Sequence, residues 1–323
     1  MKNYAPYVAA ILNATIVGLS FLFTKIAIGA TSPIDTLGYR FLVGWIVLTI
    51  YMKVFVKEKL VISFENKRLV LSLVSLALFY PTLFFSFQAF GLNYTSSAEG
   101  GIILAFSPAL TALFAAFFLK EKINVTQIFF IFLSIFGVVF VFLMNGVVLK
   151  MSQGQVIGIV FLVISCLSIS SYAVLARALS VSYRPIQLTY IMVTFGLIFF
   201  NLVAIIQRTI KGNVLEYFSL VLKPDFLMAV LFLGGFATML TSFLSNYILS
   251  KLTASKMSIF SNFSTVISIL AGAIVLHEEI KLHHIIGSIM IITGVLGANF
   301  YKGKVSRRLK YPAEKNIPGE VLR

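Results

Sequence analysis

The 323-residue sequence contains one cysteine, one tryptophan and eight prolines, and only 11% of its residues are charged. Cys166 lies within an apolar run; alone, it forms no internal disulfide and supplies no redox pair or metal cluster. The shortage of charge excludes more, because soluble domains carry about 25% charged residues. Acidic residues are the scarcer kind, 11 Asp and Glu against 26 Lys and Arg, for a net charge of +15. In a soluble chain such an excess points to nucleic acid. Here the basic residues fall in loops and at the C-terminal end, where membrane proteins carry cytoplasmic anchors, and no nucleic-acid partner is expected. Catalytic signatures are missing too. There is no phosphate-cradling P-loop and no GxSxG elbow. The run His277-Glu278-Glu279-Ile280-Lys281 places lysine where a His-Glu-x-x-His motif needs its second histidine. An enzyme, a metal and a cofactor are therefore not expected, and ATP-driven transport by this chain alone is disfavoured.

What the sequence has is hydrocarbon. Hydrophobic residues make up 59% of it, with 32 Phe, and its mean hydropathy is +0.99. A helix needs about 20 mainly apolar residues to cross a hydrocarbon core of roughly 30 Å. Ten segments qualify: Ala5–Gly29, Ile34–Met52, Leu69–Gly91, Tyr94–Leu119, Val125–Asn145, Gln155–Leu179, Pro185–Gln207, Phe226–Leu249, Thr253–Leu276 and Leu282–Tyr301. Continuous apolar runs favour helices over barrel strands, which alternate over about ten residues. With the N-terminus in the cytoplasm, 19 Lys and Arg fall inside and 5 outside, leaving Lys25 and Arg40 within spans. The expectation is an all-α, polytopic integral membrane protein of a bacterial-type plasma membrane, both termini cytoplasmic. Its basic tail, 302–323, is suited to anionic headgroups.

The sequence also repeats itself. At an offset of 157, Leu92 matches Leu249, Ser107 matches Ser264, Glu121 matches Glu278, Ile123 matches Ile280 and Gly137 matches Gly294. At an offset of 152, Pro33-Ile34 matches Pro185-Ile186 and Lys25 matches Arg177. Residues 1–148 and 149–301 thus read as two five-helix repeats. An odd number of spans inverts the second repeat across the membrane, an arrangement characteristic of secondary transporters.

The turns Leu119-Lys120-Glu121-Lys122-Ile123 and Leu276-His277-Glu278-Glu279-Ile280, Lys25 late in span 1, Tyr39-Arg40-Phe41 in span 2 and Ser107-Pro108 in span 4 together resemble the EamA family of the drug/metabolite transporter superfamily. The resemblance covers residues 5 to 301. It implies ten helices in an inverted five-plus-five fold, a central cavity and, commonly, export of metabolites or amino acids. Two positions depart from it: Thr265 stands where the second half often has proline, and Phe130 where the first half often has glycine. Unequal bends at midplane and unequal packing of spans 5 and 10 are the expected consequences.

Polar residues at helical spacing within an apolar span mark a cavity or a helix interface. Asn13 and Ser20 share a face of span 1, and Ser165 and Tyr172 occupy the matching face of span 6. Ser107 in span 4 pairs with Ser264 in span 9, whose face also carries Ser261, while Tyr80 and Gln88 in span 3 pair loosely with Ser242 and Asn246 in span 8. These residues are the candidate substrate site, at a midplane near Val17, Trp45, Tyr80, Ser107, Cys166 and Ser264. Pro108 removes a backbone donor and frees the carbonyl near Leu104, which in a membrane needs protein or cavity water. Tyr80-Pro81 repeats that chemistry at similar depth.

Glu99 reads as the one carboxylate clearly within a span, and Lys25 and Arg40 lie at a similar depth below the outer surface. A gating charge cluster is expected in which Glu99 pairs with Arg40 or Lys25. Lys256 and Arg177 make the matching cytoplasmic level basic. Together these features predict a secondary carrier, an exporter of small metabolites such as amino acids, working by alternating access. Its partners would be a small-molecule substrate, the lipid bilayer and a coupling proton or counter-substrate, with a homo-oligomer compatible through the glycines of span 10. A small multidrug or lipophilic-cation efflux carrier is the nearest alternative, and a membrane-embedded enzyme or a receptor the more distant ones.

Overall fold

A computed structural model describes residues 4–56, 67–118, 124–144, 152–179, 185–251, 260 and 262–300, and among them there is no β-strand. In chain order the apolar helices are α1 (Ala5–Ala30), α2 (Pro33–Phe55), α3 (Val70–Tyr94), α4 (Ser97–Phe118), α5 (Val125–Val141), α6 (Gln153–Ala176), α7 (Ile186–Ile210), α8 (Pro224–Ser245), α9 (Phe263–Val275) and α10 (Leu282–Ala298). Seven of them, α1 to α4 and α6 to α8, are long and apolar enough to cross a membrane; α5, α9 and α10 are shorter over their described residues. The beginning of the expected ninth span and the tail 302–323 lie outside the described residues. The bundle turns Phe117, Phe129, Phe132, Ile198 and Leu202 outward, an apolar exterior suited to lipid rather than water.

Sequence marks the helix starts. Pro33 opens α2, and the Ser32 hydroxyl accepts a hydrogen bond from the Asp35 amide at 3.1 Å. This is the pairing expected where a capping serine precedes a proline that has no N–H to satisfy. Two residues separate α1 from α2, so the pair is antiparallel and closely joined. Phe41, Phe200 and Phe226 fill the core where α2, α7 and α8 meet, with Phe41 stacked on Phe200 at 5.2 Å.

The packing partners form a regular pattern. Helix α2 lies on α7, α5 on α10 and α4 on α9, while α1 touches α8 and α9, α6 touches α3 and α4, and α2 and α7 also reach α8 and α3. Exchanging each helix with the one five places along leaves this set unchanged. The α5–α10 contact explains how Phe130 is accommodated: a Cβ at Gly297 would collide with its ring, and one at Gly294 would lie 2.6 Å from its carbonyl oxygen. These glycines, expected to allow close packing of span 10 as scaffold or dimer contact, pack against α5 of the same chain. Thr265, the other departure, uses its hydroxyl to donate to the Gly101 carbonyl at 3.3 Å, a bond proline lacks the group to make.

Three helices are disturbed at mid-length. Helix α4 breaks between Leu104 and Ser107, just before Pro108. Helix α3 is kinked within Leu78–Leu83, where the Tyr80 backbone leaves helical φ/ψ, and α8 widens into a π-helical turn over Phe232–Leu240. The Thr82 hydroxyl donates to the Ala77 carbonyl at 2.9 Å, and the Thr238 hydroxyl to the Leu233 carbonyl at 2.8 Å. Each reaches back five residues, so each threonine tethers the carbonyl that the kink or wide turn leaves without its usual amide partner. In α3 the cause is Pro81, which has no amide to give; in α8, Gly234 and Gly235 lower the cost of leaving the α-helix.

Candidate functional site

The three disturbed helices surround one cavity of about 280 Å³. Of the residues expected at the substrate site, Ser20, Tyr80, Gln88, Ser107, Pro108 and Ser264 line it, together with Val17, Leu104, Thr241 and Asn262. Ligand pockets usually measure about 300–1,000 Å³, so this one is sized for a small solute. Local bonding fixes the polarity of its wall. The Ser20 hydroxyl donates to the Val17 carbonyl at 2.7 Å, and the Thr241 hydroxyl to the Ala237 carbonyl at 3.0 Å. With their single protons committed, both oxygens face the cavity as acceptors.

Arg40 supplies the opposite character. It was expected in an outer charge cluster with Glu99; instead it lines the central cavity, only 3% exposed. Its Nε donates to the Thr238 Oγ1 at 3.3 Å, and its guanidinium carbon lies 4.2 Å from the centroid of the Phe85 ring. Depth along the helix alone would suit a long basic side chain that snorkels towards water. The side chain runs the other way, because the wide turn of α8 presents a hydroxyl and Phe85 presents a ring face. Behind this wall Tyr172 stacks on Tyr80 at 4.8 Å, and Tyr80 packs on Phe85 at 5.2 Å.

Other expected site residues support the wall rather than line it. The Ser165 hydroxyl donates to the Phe84 carbonyl at 2.9 Å, joining α6 to α3. The Ser242 hydroxyl donates to the Thr238 carbonyl at 2.8 Å. Asn13 is buried in α1 away from the cavity lining. Ser261, Lys256 and the side chain of Asn246 lie outside the described residues.

Lys25 and Glu99 do come together, in a second pocket of about 370 Å³ at the end of the bundle where α4 begins. Ser96 and Glu99 form a capping box: the Glu99 amide donates to the Ser96 hydroxyl at 3.0 Å, and the Ser96 amide to Glu99 Oε2 at 2.9 Å. The next donors are taken by Glu278. The Ser97 amide and hydroxyl donate to its carboxylate at 2.8 and 2.9 Å, and the Ala98 amide at 3.2 Å. Two carboxylates thus satisfy the first amides of α4, whose helix dipole favours negative charge there. Lys25 donates its ammonium to the carbonyls of Leu92 and Thr95, where α3 ends.

Two contacts escaped the sequence. Glu278 belongs to a recognised turn, but its partners lie 181 residues away, beyond any local pattern. Asp35 is a second carboxylate within a span, 1% exposed, contrary to the expectation that Glu99 stands alone. Arg208 donates to its Oδ2 from Nη2 at 2.6 Å and Nε at 3.2 Å, and from Nη1 to Glu216 at 2.7 Å.

Comparison with known proteins gives a consistent answer. The model of the EamA-like transporter family matches residues 5–143 and again 156–300. The uncharacterized transporter YcxC of Bacillus subtilis (strain 168) is 41% identical over 309 residues, covering 96% of this chain and 97% of that protein. An uncharacterized transporter of Archaeoglobus fulgidus is 24% identical over 90% of this chain and 96% of its own. A WAT1-related protein of Arabidopsis thaliana is 24% identical over 91% and 85%. A protein of known crystal structure superposes with a TM-score of 0.60 at 16% identity, covering 93% of this chain and 98% of that one, and so shares the fold.

Proposed function

From the premise that the chain belongs to the EamA-like transporter family and is an integral membrane protein, we infer a secondary-active carrier that exports small polar metabolites, amino acids foremost, by alternating access. The carrying observation is a mid-bundle cavity with a mixed wall: committed hydroxyl acceptors on one part, the Arg40 guanidinium on another, and both halves of the chain contributing. Scaffold packing needs no such chamber.

The reading includes ten membrane-crossing helices in two inverted repeats of five, with both termini in the cytoplasm of a plasma-membrane protein. It is supported by the exchange pattern of the larger helix contacts, α2 with α7, α5 with α10, α4 with α9, α1 with α8 and α9, and α6 with α3 and α4, and by the loop-charge asymmetry. The kink of α3, the wide turn of α8 and the break at Pro108 give the two bundles bending points around the cavity. Lys25, Glu99 and Glu278 then hold the outward end of α4 against its neighbours, as an extracellular closure. A lipophilic-cation carrier fits less well, because among the described residues the cavity lining contains no carboxylate and does contain a cation.

The test is uptake and efflux in proteoliposomes against a panel of amino acids and small metabolites, with and without an imposed proton gradient. Saturable flux of at least one panel member, absent from protein-free vesicles, is expected. No flux for any compound from protein that remains folded removes the carrier reading.

A further inference from the structure

The buried cation in the central cavity specifies the chemistry of the solute. Arg40 carries five N–H donors on a planar fork, and among the described residues a single one, Nε, has a polar acceptor, Thr238. The Phe85 ring covers one face of the guanidinium, an attraction that offsets only part of the cost of removing a charge from water. No carboxylate is found among the described residues that line the cavity. By contrast Arg208, the other arginine described in detail, is paired with Asp35 and Glu216.

The framework does not demand this charge. In the register that aligns Pro33-Ile34 with Pro185-Ile186, the counterpart of Arg40 is Met192, buried against Leu76 and Leu188. The same place in the other half is therefore filled by an uncharged side chain. A guanidinium kept in a small chamber without a resident counter-ion is an anion receptor, and its fork geometry matches a carboxylate bidentately. One cation suits one negative charge; a phosphate, with about −1.5 to −2, would be left half neutralised. Within the same cavity, the acceptor oxygens of Ser20 and Thr241 suit a donor on the same solute.

We propose that Arg40 is the recognition residue for a single carboxylate on the transported solute. The solute class is therefore a small carboxylic acid carrying a second hydrogen-bond donor, as in α-amino and 2-hydroxy acids. This deepens the carrier reading above and rests on it.

The chain's one tryptophan, Trp45, lies five residues along α2 from Arg40 and provides an intrinsic fluorescence readout. Full-length protein in detergent is titrated with each L-amino acid and its 2-hydroxy acid, each beside the corresponding uncharged-carboxyl amide, and the same compounds are followed as flux in proteoliposomes. At least one acid should bind and move, its amide binding at least about 30-fold more weakly. Arg40→Met, which installs the side chain type of the matching position, should fold normally and lose at least about 30-fold in affinity for that acid. Arg40→Lys, keeping charge without the fork, should fall between them. Binding or flux of amides equal to that of acids, or an Arg40→Met protein with wild-type affinity for the acid, overturns the proposal while leaving the carrier intact. Absence of flux for acids and amides alike, from folded protein, overturns both.

Discussion

Replacing Glu278 with alanine tests whether a carboxylate from the last loop holds the start of α4. The substitution takes the acceptor from two backbone amides and one hydroxyl, at 2.8, 3.2 and 2.9 Å. Hydrogen bonds to charged groups contribute about 1.5–3 kcal/mol each, and a carboxylate at a helix N-terminus adds about 0.3–1 kcal/mol. These contributions overlap because one group serves all three donors, and the adjoining pocket admits water to those left behind. A net loss of about 2–4 kcal/mol is expected for Glu278→Ala and about half that for Glu278→Gln, which keeps the shape. Gly272 provides an independent route to the same contact, since a Cβ there would collide with Glu278 Oε2 and lie 2.5 Å from the Ser97 hydroxyl. Gly272→Ala should therefore destabilise the wild type but cost little more once Glu278 is alanine, a coupling of at least about 1 kcal/mol. Unfolding in mixed micelles titrated with denaturing detergent, followed by circular dichroism, measures all four species. Strict additivity, or a loss below about 0.5 kcal/mol for Glu278→Ala, would refute the capping account.

Asp35→Asn should cost about 1.5–3 kcal/mol, because it removes a buried charged acceptor from Arg208; Glu216→Gln, on the exposed partner, should cost about 0.2–1 kcal/mol, and comparable values for the two in the same micelle titration would contradict that ranking. At the α5–α10 seam, Gly297→Ala should destabilise by about 1–3 kcal/mol through overpacking against Phe130, and Phe130→Leu should restore part of the loss in the double variant. Tyr217, in the short helix Val214–Ser219 between α7 and α8, has its phenol raised above the ordinary value of about 10, by burial first and then by Tyr39 and Asp35. A proton held more tightly in the folded state contributes stability that is complete below pH about 10 and lost as pH rises beyond it. Tyr217→Phe should remove that alkaline dependence, read as Tm against pH from 8.5 to 11.5; an unchanged slope above pH 10 would count against it.

The sequence carried the parts of this molecule that depend on one helix at a time. Apolar runs predicted where helices lie, and the polar faces of spans 1, 3, 4 and 9 predicted that Ser20, Gln88, Ser107 and Ser264 share a chamber, because helical periodicity fixes which side chains point together. Pro108 and Pro81 announced their own distortions for an equally local reason. Arg40 was misplaced because depth along an axis leaves open whether a long side chain climbs towards water or reaches inward, and the choice was made by Thr238 and Phe85, on other segments. Asp35 with Arg208, and Glu278 with Ser97, are pairings across 173 and 181 residues. The repeat aligns Glu278 with Glu121 without saying what either carboxylate touches.

The single proton of the Thr238 hydroxyl is engaged by the Leu233 carbonyl only while α8 is overwide there. Were this stretch to tighten to ordinary α pitch, the Ala237 amide would take that carbonyl, the hydroxyl would swivel, and the acceptor that Arg40 meets would be re-aimed. The winding of a helix and the grip on a charge are thus one coordinate, read through one oxygen atom. Thr82 makes the same back-reaching bond in α3, but the counterpart of Arg40 in the other half is Met192. The distorted stretch of α8 therefore holds a cation on its threonine, whereas among the described residues that of α3 holds none.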